Sequence, residues 1–327
     1  MLNIGNIELR EKPLFLAPME DVTDPSFRYL CKIFGADMMY TEFISSDGLI
    51  REGRKSVKKL EISDDERPIG IQLYGHLIES MVEATKIVTA VNPDVIDINF
   101  GCPVRKIAAR GAGAGMLNNI PLMVQMTKEI VKSTHIPVTV KTRIGWNDQD
   151  KNIVEISEKL QDTGIQAITI HGRTRAQLYK GTSDWTLIGA VKNNPHMRIP
   201  VIGNGDIVSP ESAKEAFDRF GIDGIMIGRA AVGRPWIFME IREYLDTGRH
   251  MKPFTVSEKV ELAKLHLNKS IESKGEPRGI YEMRRHFIHY FKGLPDFKEI
   301  KAKLVTTLDK DEINSLLEFI KKQYPSV

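Results

Sequence analysis

Eight short apolar runs recur along the first three quarters of the chain, at residues 14–17, 38–41, 69–74, 95–99, 138–141, 167–171, 201–204 and 224–227. Each is followed by a stretch able to form a helix. Val, Ile and other β-formers dominate them with little polar alternation, as strands covered on both faces require. A strand–helix–strand connection returns the chain to the same end of the sheet, so such strands pair in parallel. Eight of these units within about 240 residues match a closed (β/α)8 TIM barrel, which usually takes ~250 residues. Helices are expected at 151–163, 185–193, 210–219 and 235–245. The third opens with Ser209 as N-cap and Pro210 at the first helical position, as Asp24 and Pro25 do after the first run.

An open, doubly wound sheet would show similar strands but needs a glycine-rich phosphate turn after the first, where this chain has Pro18-Met19-Glu20-Asp21. The run Gly111-Ala112-Gly113-Ala114-Gly115 follows no strand and reads as a flexible part of the fourth strand–helix loop. Beyond residue 250 the strand runs cease. Val260, Ala263, Leu267 and Ile271, then Ile280, Met283, Phe287 and Tyr290, then Ile313, Leu316, Leu317 and Ile320 recur at helical spacing. The expected organisation is a barrel domain over residues 1–248 and a small helical domain over 249–327. From Lys252 onward 15 Lys+Arg face 11 Asp+Glu, so this last part carries the excess in a chain of net charge +3. Its second helix interleaves Arg278, Arg284, Arg285, His286, His289 and Lys292 with Tyr281, Tyr290 and Phe291. That suits a phosphate backbone and stacked bases, although a solvated charged face has the same pattern.

Only two cysteines occur, Cys31 and Cys102, which argues against a disulfide framework and for a reducing, cytoplasmic setting. No run nears the ~20 apolar residues of a membrane span, and the first residues lack the basic flank and apolar core of a signal peptide. No metal and no obligate protein partner is expected.

Polar residues stand at the ends of the runs, where a barrel enzyme keeps its reactive groups: Gln72, Asn99, Lys141, Arg143, His171, Asn204, Asp206 and Arg229. Any one could be chance, but so many have no economical packing explanation. Gly203-Asn204-Gly205-Asp206 and Gly228-Arg229-Ala230 follow the seventh and eighth runs, the two loops that commonly hold a phosphate. Glycine lets backbone N–H groups approach an anion and Arg229 adds a charged contact, so a phosphorylated ligand is expected there. After the fourth run, Asn99-Phe100-Gly101-Cys102-Pro103-Val104-Arg105-Lys106 places an amide, a thiol and an ammonium on a loop stiffened by proline. A lone cysteine is most often a small buried hydrophobe, but core packing requires no such trio.

Together these residues resemble the tRNA-dihydrouridine synthases, most nearly the bacterial B branch, almost from end to end. The likeness is carried by Ala17-Pro18-Met19 with Val22-Thr23-Asp24 and Phe27-Arg28, by Asn99-Phe100-Gly101-Cys102-Pro103 with Lys106, and by Val140-Lys141-Thr142-Arg143. Ile170-His171-Gly172-Arg173-Thr174-Arg175, Asn204-Gly205-Asp206, Ile227-Gly228-Arg229-Ala230 and Arg234-Pro235-Trp236-Ile237-Phe238 complete it. The resemblance implies flavin-dependent reduction of specific tRNA uridines. FMN would sit at the barrel mouth against Pro18, Met19, Glu20, Gln72, Lys141, His171, Asn204, Gly205, Asp206, Gly228 and Arg229. It also implies NADPH (or NADH) as electron donor, with substrate contacts from Asn99, Lys106, Arg143, Arg173 and Arg175 and from Arg278, Arg284 and Arg285 of the helical domain. One departure stands out: the first loop of the family usually reads alanine-glycine after the methionine, where this chain has Glu20-Asp21.

Hydride addition at C6 of uracil leaves negative charge over C5 and the C4 oxygen, so an acid must protonate C5. A thiol near its ordinary pKa of ~8.5 is protonated at neutral pH, which makes Cys102 the expected acid, while Lys141 would offset charge at the flavin ring. Two other readings share some of these features. A flavin barrel reducing free pyrimidines would need no basic helical appendage, and a non-catalytic RNA-binding barrel would have no use for Cys102, Lys141 and His171.

Overall fold

The structure, a computed structural model, describes residues 1–325. The chain opens with a hairpin of β1 (Leu2–Ile4) and β2 (Ile7–Leu9), antiparallel and turned at Gly5. Nine short strands follow: β3 (Leu14–Leu16), β4 (Met39–Tyr40), β5 (Ile44–Ser45), β6 (Ile69–Tyr74), β7 (Val95–Asn99), β8 (Val138–Arg143), β9 (Ala167–His171), β10 (Val201–Asn204) and β11 (Gly224–Ile227). They pair in parallel in the order β3-β11-β10-β9-β8-β7-β6-β4, and a bridge from Phe15 to Met38 closes the ring. The expected barrel is therefore present. Its second position is split, because β4 and β5 both pair with β6 while Thr41, Glu42 and Phe43 interrupt them.

Side chains alternate across each strand, and this alternation builds the site. Ile71, Leu73, Ile96, Ile98, Val138, Val140, Ile168, Ile170, Ile225 and Ile227 face outward and pack against Met81, Val88, Met126, Ile130, Leu160 and Ile188 of the surrounding helices. Their neighbours point into the barrel. At its amino-terminal end the hairpin residues Ile4 and Leu9 pack on Phe15, Tyr40, Val95, Ala167, Ile202 and Met226 and seal the interior. Higher up the inward residues turn polar, from Gln72, Asp97 and Thr139 to Asn99, Lys141, His171 and Asn204.

The helices begin where the local chemistry predicts. Asp24 caps Pro25–Ile33 by accepting from the Phe27 N–H at 3.0 Å, and Ser209 caps Pro210–Phe220 with a reciprocal Ser212 contact. Beyond the barrel, helices Val256–Lys274, Arg278–Tyr290, Lys298–Leu304 and Lys310–Gln323 share a second core built on the spaced residues Val260, Ala263, Leu267, Ile280, Met283, Phe287, Ile313, Leu317 and Ile320. Trp236 joins this core and Phe34 packs against it, so the barrel contributes to the helical core. Between the two cores lies a charged contact. Lys274 pairs with both Asp24 and Glu282; the Lys274 and Asp24 side chains are 5% and 6% exposed and Glu282 is half-buried. Among the described residues, no helix is long and apolar enough to cross a membrane.

Candidate active site

A cavity of about 770 Å³ opens at the carboxyl ends of the strands. Pro18, Met19, Glu20, Asn99, Cys102, Lys141, Arg143, His171, Asn204, Gly205, Asp206, Gly228 and Arg229 all line it. Strand alternation turns Asn99, Lys141, Arg143, His171 and Asn204 toward the common axis, and the loops that follow strands β3, β7, β10 and β11 bring the others. Gln72, Lys106, Arg173, Arg175, Arg278, Arg284 and Arg285 do not line the cavity.

The Cys102 loop is held from within. Asn99 Oδ1 accepts the N–H groups of Gly101 and Cys102 at 2.9 and 2.8 Å, and the Cys102 carbonyl accepts the Ala114 N–H at 3.0 Å. The glycine run supplying that contact is not a flexible loop. Gly113–Asn118 forms a short 3-10 helix whose residues 113–117 are buried, and a Cβ at Gly115 would lie 2.4 Å from the Ala108 carbonyl oxygen. Gly113, where a Cβ would lie 3.0 Å from the Cys102 Cβ, lets the segment pack against the thiol's own residue. Cys102 itself is 6% exposed. Burial raises its pKa above the ordinary value, against a backbone hydrogen bond at Val104 and the charges of Arg143 and Lys141.

On the neighbouring strand β8, Lys141 Nζ donates to Asn204 Oδ1 at 3.1 Å, and Asn204 Nδ2 donates to the Met226 carbonyl at 2.7 Å. Burial and the neighbouring Arg143 bring Lys141 down to about 8, so it remains mostly charged at neutral pH. His171 is held neutral, well below its ordinary range, by burial and by the charges of Lys141, Arg143, Arg173 and Arg229. A site whose cations suppress protonation of a histidine is one that an anion would relieve. Asp206 takes part of that charge. Burial alone would raise its carboxyl, but bonds from Arg173 at 2.9 and 2.7 Å and from the Ser183 N–H at 2.8 Å pull it down. Arg229 remains 58% exposed at the rim, 3.3 Å from Asp206.

The remaining predicted residues have other partners. Gln72 lies fully buried beneath Asn99. Arg173 spends its guanidinium on Asp206, Ser183 and the carbonyls of Lys180 and Gly181, and Arg175 stacks on Trp146 at 4.7 Å. Arg143 does face the cavity, but donates to the carbonyls of Gly101, Thr174 and Leu178, tying two loops together. Lys106 is exposed outside the cavity. Arg278 pairs with Glu282, Arg284 donates to the Thr306 carbonyl, and Arg285 reaches the Asp21 carbonyl in the first loop.

Residues not singled out for the site complete the wall. Phe43 reaches it because the second strand is split, and Val104, Tyr179, Val208 and Arg234 come from loops. Tyr179 lies under Arg143 and Arg229 at 5.5 and 5.2 Å. His289 and Lys292 arrive from the helical domain; both belong to the basic stretch, but sequence spacing could not tell them from the three arginines. The Glu20-Asp21 departure is also accommodated. Asp21 takes a left-handed φ of 56°, a conformation that suits glycine or aspartate, and its N–H donates to Glu42 at 2.6 Å. Glu20 pairs with Lys59 at 2.5 Å.

A closed parallel barrel whose mouth gathers a buried thiol, a lysine and the guanidinium groups of Arg143, Arg229 and Arg234 defines an enzyme of the (β/α)8 class. The family described as dihydrouridine synthase (Dus) matches residues 15–324. "Probable tRNA-dihydrouridine synthase" of Rickettsia prowazekii (strain Madrid E) is 39% identical over 328 residues, covering 100% of this chain and 98% of that protein. "tRNA-dihydrouridine synthase B" of Shewanella oneidensis is 37% identical over 318 residues, covering 97% and 98%. The chain belongs to the dihydrouridine synthase family, with its B branch. Among solved structures, histamine dehydrogenase from Rhizobium sp. 4-9 matches with a TM-score of 0.57 at 11% identity, over 82% of this chain and 50% of that one. A 2-naphthoyl-CoA reductase matches at 0.56 and 11%, over 76% and 52%. Both are likenesses of fold, and this chain spans about half the length of each.

Proposed function

We propose that this protein reduces specific uridines of tRNA to 5,6-dihydrouridine, with FMN at the barrel mouth and NADPH as electron donor, in the cytoplasm. The observation that carries the reading is the meeting, in one cavity of a chain of this family, of a thiol kept protonated and a cationic end suited to a phosphate. The donor set fits FMN: Arg229 and the backbone at Gly205 and Gly228 suit its phosphate, and Pro18, Met19, Lys141 and His171 surround the space for its ring. Bound there, FMN supplies the hydride that adds to C6 of uracil.

The chain's own residues supply position and charge. Lys141, mostly protonated, offsets the negative charge that develops in the site. Cys102 gives its proton to C5, and burial keeps that proton in place through the neutral range. Exposing a stacked uridine costs an estimated few kcal/mol, and a basic domain beside the mouth helps offset it by holding the RNA backbone. His289 and Lys292 of that domain line the same cavity as Cys102, which favours a macromolecular substrate over a free pyrimidine.

The deciding experiment is anaerobic: the purified protein should bind FMN, be bleached by NADPH, and be reoxidised by unmodified tRNA with dihydrouridine appearing in it. Reoxidation by free uracil or uridine as fast as by tRNA would overturn the reading. Arg229→Ala should weaken FMN retention about 10- to 100-fold, the worth of one charge-assisted contact, as measured by equilibrium dialysis. Lys292→Ala should reduce the slope of log Kd for tRNA against log salt by about one unit without changing flavin affinity.

A further inference from the structure

Beneath the Cys102 loop, the polar layer of the barrel contains an aspartate that the proposed chemistry does not use. Asp97 points inward from β7 and is 1% exposed. Thr139 Oγ1 donates to its Oδ1 at 2.6 Å, and Gln72 Nε2 donates to its Oδ2 at 2.6 Å. Gln72 Oε1 then accepts from Asn99 Nδ2 at 2.8 Å, and Asn99 Oδ1 accepts the N–H groups of Gly101 and Cys102. A continuous chain of hydrogen bonds thus runs from a buried carboxylate to the backbone of the thiol.

Its direction follows from donor and acceptor chemistry. An ionised carboxylate only accepts, so Gln72 must turn its amine toward Asp97 and its carbonyl toward Asn99. Asn99 must then turn its amine toward Gln72, which leaves its carbonyl oxygen for the two loop N–H groups. Reversing both amides would place the Asn99 amine against those N–H groups, donor against donor, in a buried site. Burial raises Asp97 to about 6, opposed by the bonds from Gln72 and Thr139 and by Lys141, so the acceptor-only form predominates at neutral pH.

We propose that Asp97 is a positioning residue for the thiol: through Gln72 and Asn99 it locks, from the buried end, the amide polarity that holds the Gly101 and Cys102 backbone in place. Its kinetic consequence rests on the proposed tRNA reaction; its effect on the thiol does not. Asp97→Asn is the sharpest variant, being nearly isosteric yet able to present a donor to Gln72 and so permit the reversed polarity. Thr139→Val is the control, since it removes a hydrogen bond from the same carboxylate but leaves an acceptor-only group facing Gln72.

Both variants are compared with wild type by thermal melting, by iodoacetamide labelling of Cys102 read from its peptide mass, and by the two flavin half-reactions. In Asp97→Asn, Cys102 should label about fivefold faster, the worth of one hydrogen bond in a local opening. Its tRNA-driven reoxidation should fall about 10- to 100-fold, as for a misplaced reacting group, with NADPH-driven reduction unchanged. Thr139→Val should stay within about threefold of wild type in labelling and reoxidation even if its melting point falls as far, because the polarity is kept. If Asp97→Asn does not fold, Gln72→Met breaks the same chain one link nearer the thiol and should give the same labelling change. Equal labelling in Asp97→Asn and Thr139→Val, or wild-type labelling in Gln72→Met, would overturn the proposal. Should wild type itself ignore tRNA, the functional reading fails and the labelling contrast still decides the role of Asp97.

Discussion

Replacing Cys102 with alanine should leave NADPH-driven bleaching of the flavin nearly unchanged and cut tRNA-driven reoxidation about 10²- to 10⁴-fold, ~3–5 kcal/mol of barrier. The two half-reactions separate because only the second must deliver a proton to carbon. Burial keeps Cys102 above its ordinary pKa, so its protonated form persists through neutral pH. The acid is therefore available below that raised pKa and is lost as pH rises through it, so the wild-type reoxidation rate should decline only in alkaline solution. A merely packed cysteine would behave differently, with Cys102→Ala melting earlier while its folded molecules react normally. Cys31→Ala is the control: Cys31 is fully buried in helix Pro25–Ile33, away from the mouth, and its loss should lower stability slightly and leave turnover intact. Equal reoxidation by wild type and Cys102→Ala under anaerobic conditions would remove the thiol from the chemistry.

The largest stability effect is expected at the contact between the two cores. Lys274→Met should cost about 3–5 kcal/mol, because it leaves the Asp24 carboxylate, a helix cap, buried without its main counter-charge. Burial alone would raise the Asp24 pKa, but Lys274 and then His266 hold it far below the usual carboxylate range. A depressed folded pKa means that this stability is present above the unfolded pKa and is lost as pH falls toward the folded one. Without Lys274, burial should raise the same carboxyl, so Asp24 in the variant accepts a proton at a higher pH. The gap between wild type and Lys274→Met in urea midpoint should therefore narrow in acid. Lys269→Ala, which breaks the exposed pair with Glu272, should leave the urea midpoint nearly unchanged at any pH. A Lys274→Met variant as stable as wild type at pH 7 would show that packing alone docks the helical domain.

Much of the site was legible because it follows strand period. A residue at the end of an apolar run, with the right parity, must point into a parallel barrel, which is why Asn99, Lys141, His171 and Asn204 converge as expected. Side-chain destination was harder to read. Arg173 and Arg175 lie in a motif with His171, yet their guanidinium groups turn to Asp206 and Trp146. An arginine's long stem lets its head choose among partners several residues away, and spacing along one strand says nothing of those partners. The same holds for Arg278, Arg284 and Arg285, while His289 and Lys292 from the same stretch reach the cavity.

The glycine run shows the limit most clearly. Glycine permits flexibility and also permits close packing, and only the neighbours decide between the two. Here Ala108 and the Cys102 loop fill the space that side chains would need, so the segment is buried and ordered into a helical turn. Local sequence determined the strands, their helices, the caps and the polarity of the barrel mouth, since each depends on residues a few positions apart. Tertiary structure alone decided the split second strand that admits Phe43, the ion pair joining Asp24 to Lys274, and the chain of bonds from Asp97 to Cys102. Each of these is set by contacts between residues distant in sequence or by how separate strands pair, and no pattern along the chain records such distances.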